Sequence, residues 1–211
     1  MSVLEDLNKS IVEMDVEKAE ELAQKALDEG LAAEKILNEA LVPAMDFVGE
    51  QYEKGKLFVP EMLLSAKTMK SAMELLRPQL TESGVEPKGR VVIGTVEGDL
   101  HDIGQNLVAM MLEGAGFEVN NVGTETTAEE FVQAATDSKA NIVGLSALLT
   151  TTMTHMPEVI KALQEVGLRE KVKVLIGGAP VDTDFCQEIG ADRYASDASA
   201  AVRAANEENK K

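Results

Sequence analysis

Tryptophan is absent from these 211 residues, aromatic side chains make up 3% of them, and there is one cysteine, Cys186. A single cysteine excludes a disulfide framework and any zinc site built on several thiolates, and it suits a reducing compartment. Cys186 itself reads as a small buried hydrophobe. With so few rings, the interior must be filled by aliphatic side chains and by the 10 methionines. Long apolar runs are also missing. Nowhere does the chain offer the roughly 20 consecutive apolar residues of a transmembrane helix, and its acidic amphipathic beginning carries no signal-peptide pattern. The expected location is the cytoplasm. Positive charge is scarce as well: 20 Lys and Arg stand against 37 Asp and Glu, for a net charge of −17 spread over both halves. Such a surface repels phosphate, which argues against nucleic acid and anionic membranes and in favour of protein partners with basic docking faces. No G-x-x-x-x-G-K-[ST], G-x-G-x-x-G or H-E-x-x-H motif occurs, so several nucleotide- and zinc-dependent enzyme classes are excluded.

What is present divides into two patterns. From Ser2 to about Leu80 apolar residues recur at helical spacing. Val3, Leu4, Leu7, Ile11 and Met14 mark one stripe, and Val16, Ala19, Leu22, Ala23 and Leu27 a second that Gly30 ends. A third stripe runs from Ile36 to Val48, with Pro43 as a site for a kink or break. A turn at 53–56 follows, and Pro60 opens a fourth helix through Met62, Met69 and Leu76. Four helices in this order predict a small bundle. Tyr52, Leu57, Phe58 and Val59 cluster where the third helix meets the fourth, either as a plug closing the bundle end or as an apolar lid over a ligand.

The polar, Gly- and Pro-punctuated stretch from Thr81 to Gly89 marks the boundary between a helical domain, residues 1–88, and a second domain, residues 89–211. Beyond it, strands are predicted at 91–95, 117–122, 142–145, 172–176 and 193–195, alternating with helices at 102–115, 127–137, 152–166, 182–189 and 197–208. This alternation predicts an α/β fold, a parallel sheet with helices on both faces. The tail from Asn206 to Lys211 reads as disordered.

The strand-to-helix loop Gly98-Asp99-Leu100-His101-Asp102-Ile103-Gly104 holds one of the two histidines. In open parallel sheets such loops face the ligand crevice beyond the carboxyl ends of the strands. Asp99 is placed to hydrogen-bond one ring nitrogen of His101 and leave the other for a metal; alternatively Asp99 or Asp102 caps the next helix and His101 is simply exposed. Two other strand ends carry Ser146-Ala147-Leu148-Leu149-Thr150-Thr151-Thr152 and Gly177-Gly178, whose hydroxyls and small residues suit a slot for a long ligand. His155, among Thr, Met and Pro, reads as a surface or partly buried residue rather than a ligand.

Asp99-x-His101-x-x-Gly104, Ser146-x-Leu148 and Gly177-Gly178, in that order and spacing, resemble the cobalamin-binding module family. The resemblance implies a Rossmann-like, flavodoxin-type sheet of five parallel strands and a cobalamin bound base-off. His101 would be the lower axial ligand of cobalt, Asp99 would hold its other nitrogen, and Thr152 would extend that chain. Gly98, Asp102, Ile103, Gly104 and Leu148 would line the same site. Ser146 and Thr150 would contact the nucleotide tail, Gly177 and Gly178 would border it, and Ala198 would lie near it. The helical half resembles the cap domain of methyl-transferring members, with Tyr52, Phe58 and Val59 at the apolar positions that cover the corrin.

As a whole the chain is similar to the small corrinoid proteins of anaerobic methyltransferase systems for methylamines, methanol, quaternary amines and methoxylated aromatics, and to the cobalamin-binding region of methionine synthase. This implies a carrier without a complete active site of its own, alternating between methylcobalamin and cob(I)alamin. Its partners would be a substrate:corrinoid methyltransferase, a methylcorrinoid:acceptor methyltransferase with a folate, pterin or thiol acceptor, and a reductive activase. The alternatives are the small subunit of an adenosylcobalamin mutase, which normally docks on a barrel and lacks such a cap, and a cobalamin-dependent regulator, which would need a basic DNA-binding helix.

Overall fold

The computed structural model describes residues 2–82 and 87–209. Two compact units are present, one comprising Met1–Glu86 with Glu113–Gly116, the other Pro87–Leu112 with Phe117–Lys211. The stretch 83–86 of the expected boundary and the last two tail residues lie outside the described part.

In the first unit, α1 (Val3–Val12) begins at a reciprocal cap. The Glu5 amide donates to the Ser2 hydroxyl and the Ser2 amide to the Glu5 carboxylate, which satisfies two otherwise orphaned donors. The Asp15 carboxylate caps α2 (Val16–Asp28) by accepting from the Lys18 amide, and Gly30, at φ +80°, follows the end of that helix. The buried line of α2 is Ala19, Ala23 and Ala26, whereas Leu22 and Leu27 of the expected stripe are only half-buried. Small side chains let helix backbones approach closely, and α2 packs mainly along α5 (Val59–Glu82). The third rod is α3 (Ala33–Ile36), a π-helical stretch (Leu37–Leu41) and α4 (Val42–Glu53) in unbroken succession. The helical run continues through Pro43, which does not end it. Proline lacks the N–H for the preceding turn and its ring crowds that turn, and the chain accommodates both by widening the turn into a π form.

The second unit is a five-stranded sheet of order β2-β1-β3-β4-β5, all pairs parallel. Its elements are β1 (Arg90–Val96), α6 (Ile103–Gly114), β2 (Glu118–Thr126), α7 (Ala128–Asp137), β3 (Ile142–Ser146), a 3₁₀ turn (Met153–His155) leading into α8 (Met156–Glu165), β4 (Lys173–Gly177), α9 (Thr183–Glu188), β5 (Arg193–Ala195) and α10 (Ala198–Glu208). This is the doubly wound, flavodoxin-type order expected from the sequence, with the chain reversing direction at β1 and β3. Val92 and Val96, Val143 and Leu145, and Val174 and Ile176 pack against Phe131, Met156, Ile160 and Leu163 of α7 and α8. Residues of opposite parity, Val91, Ile93, Ile142 and Leu175, are buried too, so both faces are covered.

The tail departs from expectation. Asn206–Glu208 continue α10, because Glu208 is buried against Arg193 at 2.6 Å and Lys173 at 3.7 Å. Its charge has an internal partner that composition could not reveal. Strand β2 also runs on to Thr126, past the expected end, through register shifts opposite Gly94.

Candidate functional site

Parallel pairing aligns Thr95 of β1 with Ser146 of β3, Ser146 with Gly177 of β4, and Gly177 with Ala195 of β5. The carboxyl ends of four strands thus form one row of small residues, and the loops leaving that row carry the site. After β1 a tight turn closes with the Asp99 amide donating to the Val96 carbonyl at 3.1 Å. Gly98 supplies the φ of +76° that this turn requires at its third position.

The turn delivers Asp99, a fully buried carboxylate with four donors. The backbone N–H of His101 (3.1 Å) and its ring Nδ1 (2.7 Å) donate to Oδ1, while the Leu148 N–H (2.8 Å) and the Thr152 hydroxyl (2.6 Å) donate to Oδ2. Burial works to raise the Asp99 pKa, but the bonds from Thr152, Leu148 and His101 outweigh it and hold the carboxyl well below the usual carboxylate range. An ionised Asp99 only accepts, so the network assigns the ring proton of His101 to Nδ1 and leaves a lone pair on Nε2. The Thr95 hydroxyl donates to the His101 carbonyl at 3.0 Å and fixes the other side of the loop. Neither the Asp99 nor the Asp102 carboxylate accepts from the first amides of α6. Asp102 accepts instead from the Asn106 side chain at 3.0 Å, so capping is not what these carboxylates do.

About half of the His101 side chain is exposed. Leu100, Leu148 and Leu149 on the same two loops, and Ile103 at the start of α6, are large apolar residues left in solvent, Ile103 at 79%. Gly104 lies in the first turn of α6, and a Cβ added there would meet nothing within 4 Å. The chain itself gives no packing reason for glycine at that position. An imidazole with a free nitrogen, an apolar surround and an unfilled space beside the helix together fit a large, flat, mainly apolar ligand with a metal at its centre.

The remaining expected residues are spread more widely. Ser146 is half-buried at its strand end, Thr150 is exposed, and Ala198 is buried at the start of α10, whose helix Asp197 caps. Gly178 has a use the sequence did not reveal: at φ +124°, an added Cβ would lie 1.8 Å from the Ala147 carbonyl oxygen, so glycine here lets two loop backbones approach. Tyr52, Phe58 and Val59 belong to the helical unit. Tyr52 is half-buried near the end of α4, Phe58 is 67% exposed, and its amide is held by the Glu61 carboxylate at 2.7 Å at the entry to α5. Sequence reasoning missed the amide chain in which buried Gln105 bonds Asn121 and Asn121 bonds Asn106. No motif announces it, since its members come together only when β2 lies beside α6.

The sheet order and the carboxylate-held histidine at the strand ends define a ligand-binding α/β module of the metal-cofactor type. Two families, each described as a B12 binding domain, match the chain, one over residues 89–203 and the other over residues 3–77. The chain is 42% identical over 209 residues to a corrinoid protein of Desulfitobacterium hafniense, covering 98% of this chain and 97% of that one. It is 40% identical over 195 residues to trimethylamine corrinoid protein 1 of Methanosarcina acetivorans, covering 92% and 90%. Among solved structures, a chain of the methanol:cobalamin methyltransferase complex of Methanosarcina barkeri superposes with a TM-score of 0.88 at 30% identity, covering 99% of this chain and 80% of that one. The chain belongs to the B12-binding family, as a corrinoid protein of methyltransferase systems, and its cofactor is a corrinoid. No described helix is long and apolar enough to cross a membrane.

Proposed function

We propose that this protein carries a methyl group on its bound corrinoid from a substrate-specific methyltransferase to a second methyltransferase whose acceptor is a folate, a pterin or a thiol. The observation that carries this reading is the 2.7 Å bond between Asp99 and His101 Nδ1, which leaves Nε2 available for cobalt. When bound, the corrinoid supplies a cobalt centre that accepts a methyl group and gives it up again. The chain's residues hold and orient. Asp99 fixes the ring and tunes the basicity of Nε2, and Thr152 and Leu148 keep Asp99 ionised. Leu100, Ile103 and Leu148 supply apolar contact, and Gly104 leaves room. Ser146, Thr150, Gly177, Gly178 and Ala198 receive the nucleotide tail. Residues 1–88 act as cap and residues 89–211 as binding module. Tyr52, Phe58 and Val59 shield the methylated face. A reductive activase restores carrier that has been oxidised. The chain supplies no complete active site of its own, and the cytoplasm is the compartment that suits this chemistry. The relatives named for trimethylamine and methanol systems support the reading.

The test is reconstitution of the full chain with cobalamin, then a screen of methyl donors with partner methyltransferases, following the cobalt spectrum. The expected result is a His-ligated, base-off spectrum that changes on methylation with one donor class. Failure to bind cobalamin would remove the assignment, and binding without methylation by any donor would leave a sensor as the better reading.

A further inference from the structure

We propose that Glu97, His155 and Glu158 form a divalent-cation site of the zinc or nickel class, separate from the corrinoid ligand His101. Ligand atoms of the three residues all lie within 4.8 Å of one another. His155 Nδ1 and Glu158 Oε2 are 2.9 Å apart. That is a hydrogen bond in the metal-free chain, and a cation would displace its proton and move the two atoms to the roughly 3.4 Å edge that metal–ligand bonds of about 2.1 Å make in a tetrahedral site. One imidazole with two carboxylates is a borderline donor set, which suits Zn²⁺ or Ni²⁺ better than the all-oxygen preference of Ca²⁺ or Mg²⁺.

A second observation points the same way. Among the described residues, no lysine or arginine is ion-paired with either carboxylate, although the fold brings Glu97 of the loop after β1 close to Glu158 in the first turn of α8. In a chain of net charge −17 a bound cation would offset both negative charges, whereas the His155 hydrogen bond reaches Glu158 alone. Glu97 is exposed, and the His155 and Glu158 side chains are 34% and 60% exposed, so an ion has access and water can complete its coordination.

The position gives the site a consequence. Glu97 precedes the turn that delivers Asp99, and His155 follows Thr152 by three residues. A Cβ on Gly98 would meet the Thr152 methyl at 3.7 Å, so the two loops already touch there. A cation bridging Glu97 to His155 and Glu158 clamps together the loops that the Asp99–Thr152 bond joins from inside. It rigidifies the support of His101 without touching the corrinoid.

The experiment is isothermal titration of the metal-free full chain with ZnCl₂, beside Glu97→Gln, His155→Ala and His101→Ala, with far-UV circular dichroism as the folding control. These are exposed or half-exposed positions, so all variants are expected to fold. The expected result is one Zn²⁺ per chain, weakened at least tenfold in Glu97→Gln and His155→Ala and retained in His101→Ala. Zn²⁺ should also raise the thermal midpoint of the parent chain but not of His155→Ala. Absence of saturable binding below millimolar concentration overturns the proposal. So does binding unchanged in His155→Ala, or binding lost only in His101→Ala, which would place the ion on the other histidine. Cobalamin binding is read separately, so the carrier function and the cation site stand or fall independently.

Discussion

Thr152 Oγ1 lies 2.6 Å from Asp99 Oδ2, across 53 residues of chain. This bond joins the loop after β1 to the loop after β3 at the point where the sheet reverses direction. The other oxygen of the same carboxylate holds His101. The orientation of the histidine is therefore set partly from a neighbouring strand.

Replacing Thr152 with valine keeps the shape and removes the donor. A hydrogen bond to a charged group contributes about 1.5–3 kcal/mol, and a loss in that range is expected in urea denaturation. Thr150→Val, at an exposed position, should change stability by no more than about 0.5 kcal/mol. Equal effects from the two variants would remove the Asp99–Thr152 bond as a structural contributor.

The same bond sets a pH dependence. Asp99 titrates in the folded chain well below its ordinary 3.8, so its contribution is fully present above that value. Below it the unfolded chain takes up a proton that the folded chain does not, and stability declines by about 1.4 kcal/mol per pH unit for such a group. Thr152→Val raises the folded-state value toward 3.8. The unfolded chains titrate alike, so the stability difference between parent and variant should stay constant down to the variant's own folded-state value, below 3.8, and shrink beneath it. Urea midpoints from pH 7 to pH 2 measure it, and a difference that grows on acidification would contradict the sign.

His101→Ala removes a side chain that is half in solvent. Its melting curve should lie close to the parent's, while the His-ligated spectrum of reconstituted cobalamin is lost. A variant that keeps that spectrum would show that another residue ligates cobalt.

Two glycines should respond in opposite ways. Gly104→Ala fills an empty space in the first turn of α6 and replaces the poorer helix former, which favours the metal-free fold by up to about 1 kcal/mol. It should weaken cobalamin binding at least tenfold. Gly178→Ala forces a Cβ into the Ala147 carbonyl at a strained φ and should destabilise the chain with or without ligand. Thermal melts beside cobalamin titrations separate the two; unchanged affinity in Gly104→Ala would mean that no ligand uses that space.

Phe58 presents most of its ring to solvent. If it shields the methylated cofactor, methylcobalamin bound to the parent chain should resist light-driven cleavage longer than in Phe58→Ala. Equal photolysis rates would remove the shield and leave the carrier role intact.

Much of this was readable in one dimension. Strands β1, β3 and β4 were legible because buried parallel strands are short apolar runs, and Val91 to Ile93 or Val174 to Ile176 can hardly be anything else. The first helices were legible from spacing, yet their packing was not. Leucine draws the eye on α2, but it is the alanines, Ala19, Ala23 and Ala26, that are fully buried. Pro43 shows a similar gap, since the rule that proline disturbs a helix does not say whether the chain bends, breaks or widens. At the site, Asp99 and His101 are two residues apart and announced themselves, whereas the turn that Gly98 makes possible is seen only in the structure.

The sequence by itself determined the class of the protein: the alternation of strands and helices, the Asp99-x-His101 loop and the glycine pair are local patterns, each set by short-range geometry. The tertiary structure decided what those residues do to one another. It gave Asp99 the task of holding His101 rather than capping α6, by bringing Leu148 and Thr152 to the same carboxylate, and it brought Glu97 of one loop beside His155 and Glu158 at the start of α8. It also gave Glu208 the basic partners that keep the tail helical. The physical reason is that a carboxylate's protonation, and the face a histidine offers, depend on donors and charges within a few ångströms, and in a doubly wound sheet those neighbours come from distant parts of the chain.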